Sequence, residues 1–315
     1  MSETELIEDR GDNEDLISLR ALSSDLWQGK WTILGVTSFF AITSIVVSLM
    51  IPNYYRSSVL LAPTERESSG GLAALASEYS GFASFAGLNI PSGNSDQVEL
   101  GLEILKSRKF LASFIERRDL LVPLMAGKEW NFETNILEID ADIYNTETQE
   151  WVREVSPPYT VVPSSLEAVE AFEEILNVSR DKTTGFVTVS IEFLSPQLAR
   201  DWVSWLIADL NKEMMTHDVR IAEETIDYLQ KQVNSTSLTG LQQVFFKLIE
   251  EQTKVIVLSE VTDEYLLRTI DPAVVPEKKS RPFRSIIVIV STFIGGFAGV
   301  LIHLLRLQLA PAKRD

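Results

Sequence analysis

Two stretches of 21 residues without a formal charge limit what this chain can fold into. Residues 31–51 read WTILGVTSFFAITSIVVSLMI, and residues 285–305 read SIIVIVSTFIGGFAGVLIHLL. As a helix each would be about 31 Å long, the thickness of a bilayer's hydrocarbon core. A soluble helix normally keeps a polar stripe on its outer side, and neither stretch leaves room for one. The expectation is a transmembrane helix at 31–51 and another at 285–305. Between them lies one large domain, 52–284, with tails at 1–30 and 306–315. The first stretch reads as a signal anchor rather than a cleavable signal peptide. Thirty residues precede it, their charges are mostly acidic, and no A-x-A-like site closes it. Pro52 ends it, and Tyr54 and Tyr55 follow as rings suited to a membrane interface.

Two spans put both termini on one side of the membrane, but charge does not say which. Lys30, Arg306, Lys313 and Arg314 argue for cytoplasmic termini, whereas Lys278, Lys279, Arg281 and Arg284 crowd the other side of the second span. The positive-inside rule is therefore divided, and long loops translocate largely regardless of charge.

The intervening domain holds 22 Lys and Arg against 36 Asp and Glu, and the whole chain carries −17. Such acidity serves solubility and repels a phosphate backbone, so nucleic acid is not an expected partner. SSVLLAP (57–63) has strand composition, and GFVTVSIEF (185–193) alternates Val187, Val189 and Ile191 against Thr188 and Ser190. A Gly-, Ser- and Ala-rich run after Glu67 predicts a flexible loop with a short helix around Leu72 to Tyr79. Helical spacing recurs through Leu100, Ile104, Phe110, Phe114 and Ile115. The basic residues among them, Lys106, Arg108, Lys109, Arg117 and Arg118, read as a solvated face. Residues 131–157 look irregular, and SSLEAVEAFEEIL predicts a helix capped by Ser164 or Ser165.

The longest periodic segment follows Pro196. Leu198, Trp202, Trp205, Leu210, Met214, Ile221, Leu229 and Val233 predict one long helix. A second run from Leu241 to Leu258 follows a break at STSLTG, residues 235–240. The long helical region, about 197–262, cannot bury its stripe within one small domain and should pack against a partner helix. The fold class is α+β, with an extended helical arm and an expected oligomer.

Nothing in the chain assembles into a familiar active site. There is no cysteine, which excludes thiol nucleophiles, disulfides and thiolate metal sites. Only two histidines occur: His217 has no Cys or His nearby, and His303 lies within the second apolar stretch. Zinc-hydrolase spacing cannot be met, and no P-loop or G-x-S-x-G motif occurs. Acidic groups such as Glu173-Glu174 and Glu223-Glu224-Asp227 have the spacing of solvated helix faces. The expectation is a protein that is not an enzyme, with no cofactor and no metal.

Two features near the second span are more specific. Pro272, Pro276 and Pro282 punctuate IDPAVVPEKKSRPFR, forbidding helix and favouring an extended, stiff strut on the approach to the membrane. Within the span, Gly295, Gly296 and Gly299 give small-xxx-small spacing that allows another helix close approach. That helix could belong to a neighbouring protomer or to a partner protein.

The order LWQGKW, span, PNYYRSSVLLAP, LASEYSGFASFAGL, LEILKSRKFL, LLVPLMAGKEWN resembles the Wzz chain-length determinants, the polysaccharide co-polymerases. The resemblance runs on through TGFVTVSIEFLSPQLARDWVSWLIADLN, IDYLQKQVNSTS and the proline-rich segment, covering about residues 15 to 307. It implies an inner-membrane protein with cytoplasmic termini and a periplasmic α/β base bearing a long helical arm. Protomers of the family assemble into a ring. They set the length of glycans made by a Wzy-type polymerase without being enzymes, with the growing chain as a further candidate partner. Pro272, Pro276, Pro282, Gly295, Gly296 and Gly299 are the positions that match the family's functional motif, as sites of coupling to a protomer or partner. The O-antigen class of lipopolysaccharide looks closest. Capsule and enterobacterial common antigen stay open, as do the different classes of two-pass sensor and export scaffold. The short tails leave no output domain for a sensor.

Overall fold

The computed structural model describes residue 27 and residues 29–64 and 94–309. The loop and short helix expected around Leu72 to Tyr79 lie outside the described residues. The chain divides into two compact units, one from the described parts of 1–51 and 282–315, the other spanning Pro52–Arg281.

The first unit is a pair of apolar helices, α1 (Lys30–Met50) and α8 (Arg284–Leu309). Both are long and apolar enough to cross a membrane. Phe39, Ile42, Leu49, Phe293, Ile294 and Phe297 point outward and are exposed. A water-soluble helix pair would turn such side chains inward, so the outer surface suits lipid.

The second unit is built on a four-stranded antiparallel sheet. Its strands are β1 (Tyr55–Pro63), β6 (Leu176–Arg180), β7 (Val187–Phe193) and β8 (Leu267–Asp271), in the order β6-β7-β1-β8. The register pairs Leu61 with Val187, Val59 with Val189 and Tyr55 with Phe193. These residues share one face, and the core forms there. On the other face lie Ser58, Arg56, Thr188, Ser190 and Glu192, as the period of two requires.

Helices cover the apolar face. α2 (Asn94–Lys106) and α3 (Arg108–Arg117) form one helical segment broken at Ser107, whose side chain caps α3 by accepting from the Phe110 N–H. α4 (Leu121–Ala126) follows. α5 (Ser165–Ile175) opens with a full capping box between Ser164 and Glu167, which selects Ser164 as the cap. Residues 131–157, read as irregular from sequence, include two small hairpins. β2 (Gly127–Asn131) pairs with β3 (Ile136–Ile139), and β4 (Tyr144–Asn145) pairs with β5 (Glu150–Trp151). Their strands are too short for alternation to register.

The long helix is α6 (Pro196–Ser235), started by Ser195 as cap and Pro196 in the first turn. Forty residues make it about 60 Å long. Its first half packs on the sheet, burying Ala199, Trp202, Val203, Leu206, Leu210 and Met214. Trp202 is completely buried, 4.4 Å from Phe193 and 6.0 Å from Phe172 between ring centres. In the second half only Ala222 and Leu229 are buried. The helical region expected at 197–262 is divided: the chain turns at Thr236–Leu238 and returns as α7 (Thr239–Glu260). Gln242 holds the turn by donating to the carbonyls of Val233 and Thr236. The partner of the long helix is thus within its own chain over that stretch.

Candidate functional site

The predicted residues fall in both units. In the globular unit, Pro272 and Pro276 lie in the segment leaving β8. β8 runs antiparallel to β1, and the segment continues down the same edge towards the beginning of β1. Ser57 donates to the Val274 carbonyl at 2.8 Å, and the Tyr54 and Arg281 backbones form an isolated bridge. Prolines suit this position because an edge has no inward ladder bond for the missing N–H to supply, and they discourage pairing with a foreign strand. The segment is free of helix, as the prolines require. It is not a fully extended strut. Ten residues (272–281) run beside six (54–59) that comprise Tyr54 and the first five of β1, about 20 Å, with a bend at Glu277 and Lys278.

The end of this segment is fastened by a carboxylate that sequence reasoning missed. Glu192 lies on β7, directly across from Arg56 on β1. It is only 8% exposed and accepts from both flanks: Arg281 at 2.7 Å and Arg56 at 3.4 Å, with the Ser280 hydroxyl on its other oxygen. The Ser280 N–H donates to the Tyr54 carbonyl at 2.8 Å, and Lys279 reaches Asn53 at 3.2 Å. The residues that follow the first apolar helix and those that precede the second are therefore clamped together on one strand. A lone charge within the otherwise uncharged VTVSIEF was the available signal. A charge buried to this extent persists only when paired.

In the apolar unit, Gly295 and Gly299 lie on the side of α8 that meets α1. A Cβ at Gly295 would come within 2.6 Å of the Phe40 Cβ and 3.3 Å of the Thr37 Cα. One at Gly299 would lie 3.0 Å from the Ile33 Cα. Gly296 is beside the seam, where a methyl group would sit 3.7 Å from the Thr37 hydroxyl, an ordinary contact. Rising numbers on α8 meet falling numbers on α1, so the helices are antiparallel, and His303 packs at Gly29. The glycine face is occupied by the chain's own first helix. Pro282 precedes α8, and its carbonyl accepts from the Arg284 N–H at 3.0 Å.

The remaining candidates are structural. Arg117 and Arg118 pair with Asp209 at 3.2 and 2.6 Å, and Arg118 also lies over the Trp205 ring. Lys106 pairs with Glu103. His217 contacts Asp218, which also accepts from the buried Tyr265 hydroxyl at 2.9 Å. Among the described residues no group of three His, Asp or Glu is placed to hold a metal ion.

Residues 15–117 match the family model Wzz, chain length determinant protein. Residues 238–308 match a second model, GNVR, described as a G-rich domain on putative tyrosine kinase. No curated protein sequence matches the chain. Among solved structures, a full-length bacterial polysaccharide co-polymerase is similar at 15% identity and a TM-score of 0.39. The alignment covers 96% of this chain and all of that one. A fragment of WzzB, a polysaccharide co-polymerase from Salmonella Typhimurium, aligns at 12% identity over 73% of this chain and all of that one, with a TM-score of 0.24. The two family models thus give the chain a Wzz chain length determinant domain at residues 15–117 and a GNVR domain at residues 238–308.

Proposed function

We propose that the protein regulates the length of lipopolysaccharide O-antigen chains in the Wzy-dependent pathway, as a non-catalytic oligomer in the inner membrane. In this reading α1 and α8 span the bilayer, both termini are cytoplasmic, and residues 52–284 form a periplasmic domain. Protomers gather into a ring beside a Wzy-type polymerase and the growing glycan. The observation that supports it most is the chain length determinant match over 15–117, which contains the first apolar helix and the first strand of the domain it introduces. The proline segment and the Gly295–Gly299 face are its proposed coupling elements. The Glu192 clamp ties together the two segments that lead to the helices.

A second reading is favoured by the GNVR match, whose description names a tyrosine kinase. There the polymer would be a capsular or exported polysaccharide, and the partner would include a kinase. Deleting the gene in its native host and resolving lipopolysaccharide on a silver-stained gel tests the first reading. Polymer should persist with its modal banding lost. Unchanged banding, or complete loss of polymer, would refute it. A change confined to capsule size would favour the second.

A further inference from the structure

The outer edge of β1 is only partly paired. The Tyr54 N–H donates to the Arg281 carbonyl and the Tyr54 carbonyl accepts from the Ser280 N–H, while the Thr64 N–H donates to the Leu266 carbonyl. Backbone direction alternates along a strand, so Arg56, Ser58, Leu60 and Ala62 turn their N–H and C=O groups to that same side. Leu60 and Ala62 meet Asp271 and Arg268 of β8 there. Among the described residues, no backbone hydrogen bond joins Arg56 or Ser58 to the segment 272–279 that runs past them.

That segment has the sequence of a strand that is not formed. Continued from the Leu60–Asp271 pair, an antiparallel register sets Ala273 opposite Ser58 and Val275 opposite Arg56. Residues 271, 273 and 275 then turn their backbone to β1, and residues 272, 274 and 276 turn theirs away. Pro272 and Pro276 fall on the outward positions, where a missing N–H costs no ladder bond. Val274 would lie opposite Ser57, on the core side with Val59 and Leu61.

A rotation by one residue keeps this ladder apart. Ser57, 1% exposed, donates its hydroxyl to the Val274 carbonyl at 2.8 Å, so that carbonyl points at β1 instead of away from it. Ala273 packs against the core in place of Val274, which is 65% exposed. The slack needed to undo the rotation is present. From the Leu60–Asp271 pair to the Tyr54–Arg281 bridge, β1 takes six steps and the facing chain ten. The surplus lies after Val274, in the bend at Glu277 and Lys278. Both ends are fixed. One is the Glu192 clamp; the other is β8, where Leu267 is bonded to Asn211 and the Thr269 N–H donates to Glu264 at 3.0 Å.

We propose that residues 272–276 are a strap poised to close on the edge of β1, with the Ser57 hydroxyl as its catch. Closing turns the strap by one residue, pairs the free N–H and C=O groups of Ser58 and Arg56, and brings Val274 inward in exchange for Ala273. One continuous strand, 267–275, then leads from the root of the arm to the bend before the Glu192 clamp. The device lies wholly within the globular unit, so failure of the length-regulating reading would leave it standing.

Site-resolved hydrogen–deuterium exchange on the full chain in detergent tests it. In the parent protein the Ala273 and Val275 amides should exchange like those of an open loop, while the Val59 amide, directed at β7, is protected. Ser57→Ala removes the catch and no backbone group. It should slow exchange at 273 and 275 several-fold and leave Val59 unchanged. Val275→Pro takes away an N–H that only the closed strap uses, so adding it to Ser57→Ala should restore fast exchange at Ala273. Protection of 273 and 275 in the parent protein would mean that the strap is already shut, and overturns the proposal. Fast exchange at both positions in Ser57→Ala, or slowing at 273 that survives Val275→Pro, overturns it as well.

Discussion

Two antiparallel helix pairs in this chain solve the same packing problem in opposite solvents. In α1 and α8 the seam is made of glycine, and the outer faces are apolar. In α6 and α7 the outer faces carry ion pairs, Arg220 with Glu224 and Lys254 with Glu250 and the half-buried Glu251. Lipid offers no hydrophobic reward for association, so the first pair relies on close backbone approach. Water rewards burial of a stripe, so the second pair tolerates larger side chains and leaves Phe246, Val257 and Leu258 exposed on α7. The first pair should therefore be sensitive to a single methyl group, and the second to the loss of whatever roots it in the domain.

The root supplies the largest expected effect. Asn211, 3% exposed on α6, accepts from the Leu266 and Leu267 N–H groups and donates to the Leu267 carbonyl. One side chain thus completes the backbone bonding where the chain returns from the arm into β8. Asn211→Leu fills similar space but leaves two buried donors without this acceptor, which should cost about 3 kcal/mol. Denaturant unfolding of the full chain in detergent would measure it, with loss of the globular transition before the helix pair separates. A loss below about 0.5 kcal/mol would show that the arm is rooted by apolar burial alone.

How much of this was legible in the sequence depends on whether the signal was local. The spans were visible because an uncharged run of 21 residues has few soluble explanations, and the arm because its period persists for ten turns. Gly295 and Gly299 were recognised as a contact face. Spacing on one helix cannot say which helix meets it, and Ile33, Thr37 and Phe40 are more than 250 residues away. Glu192 was passed over because its partners, Arg56 and Arg281, come from opposite ends of the domain. The Pro272–Pro282 segment was read correctly as non-helical, but composition could not reveal the bend that folds it against β1. Asn211 lies among helix-forming residues, where nothing marks a polar side chain as buried.

The glycine seam gives the next effect and the sharpest internal contrast. Gly295→Leu has to displace Phe40 and the Thr37 backbone, at a cost of about 1–3 kcal/mol by overpacking. Gly296→Ala meets only the Thr37 hydroxyl at ordinary distance and should be neutral. A disulfide between Thr37→Cys and Gly296→Cys reports on the pair directly. It should form readily in the parent background and be strongly reduced by Gly295→Leu. Equal cross-linking in both would mean that the helices do not pack through this face in the membrane. Loss of glycan length control by Gly295→Leu despite normal cross-linking would assign the face to an outside partner.

The smallest effect tests the water side of the comparison through pH. Glu251 first, and then Glu250, hold the Lys254 ammonium's pKa above the ordinary lysine value of 10.5. The folded arm therefore binds this proton more tightly than the unfolded chain does. The resulting stability is complete below pH 10.5 and is lost as pH rises through the higher folded value. The group is exposed, so the effect is local to α7 and screened by salt. Spin labels at Tyr228→Cys on α6 and Leu258→Cys on α7 give a distance distribution that should broaden only as pH rises above 10.5, through the raised value of the folded arm. Lys254→Arg keeps its charge at that pH and should not broaden. The Thr37–Gly296 cross-link, on a seam of glycine and uncharged side chains, should not respond at all. Equal broadening with lysine and arginine would trace the change to other groups, and the arm would then be held by its apolar stripe alone, as the membrane pair is held by its glycines.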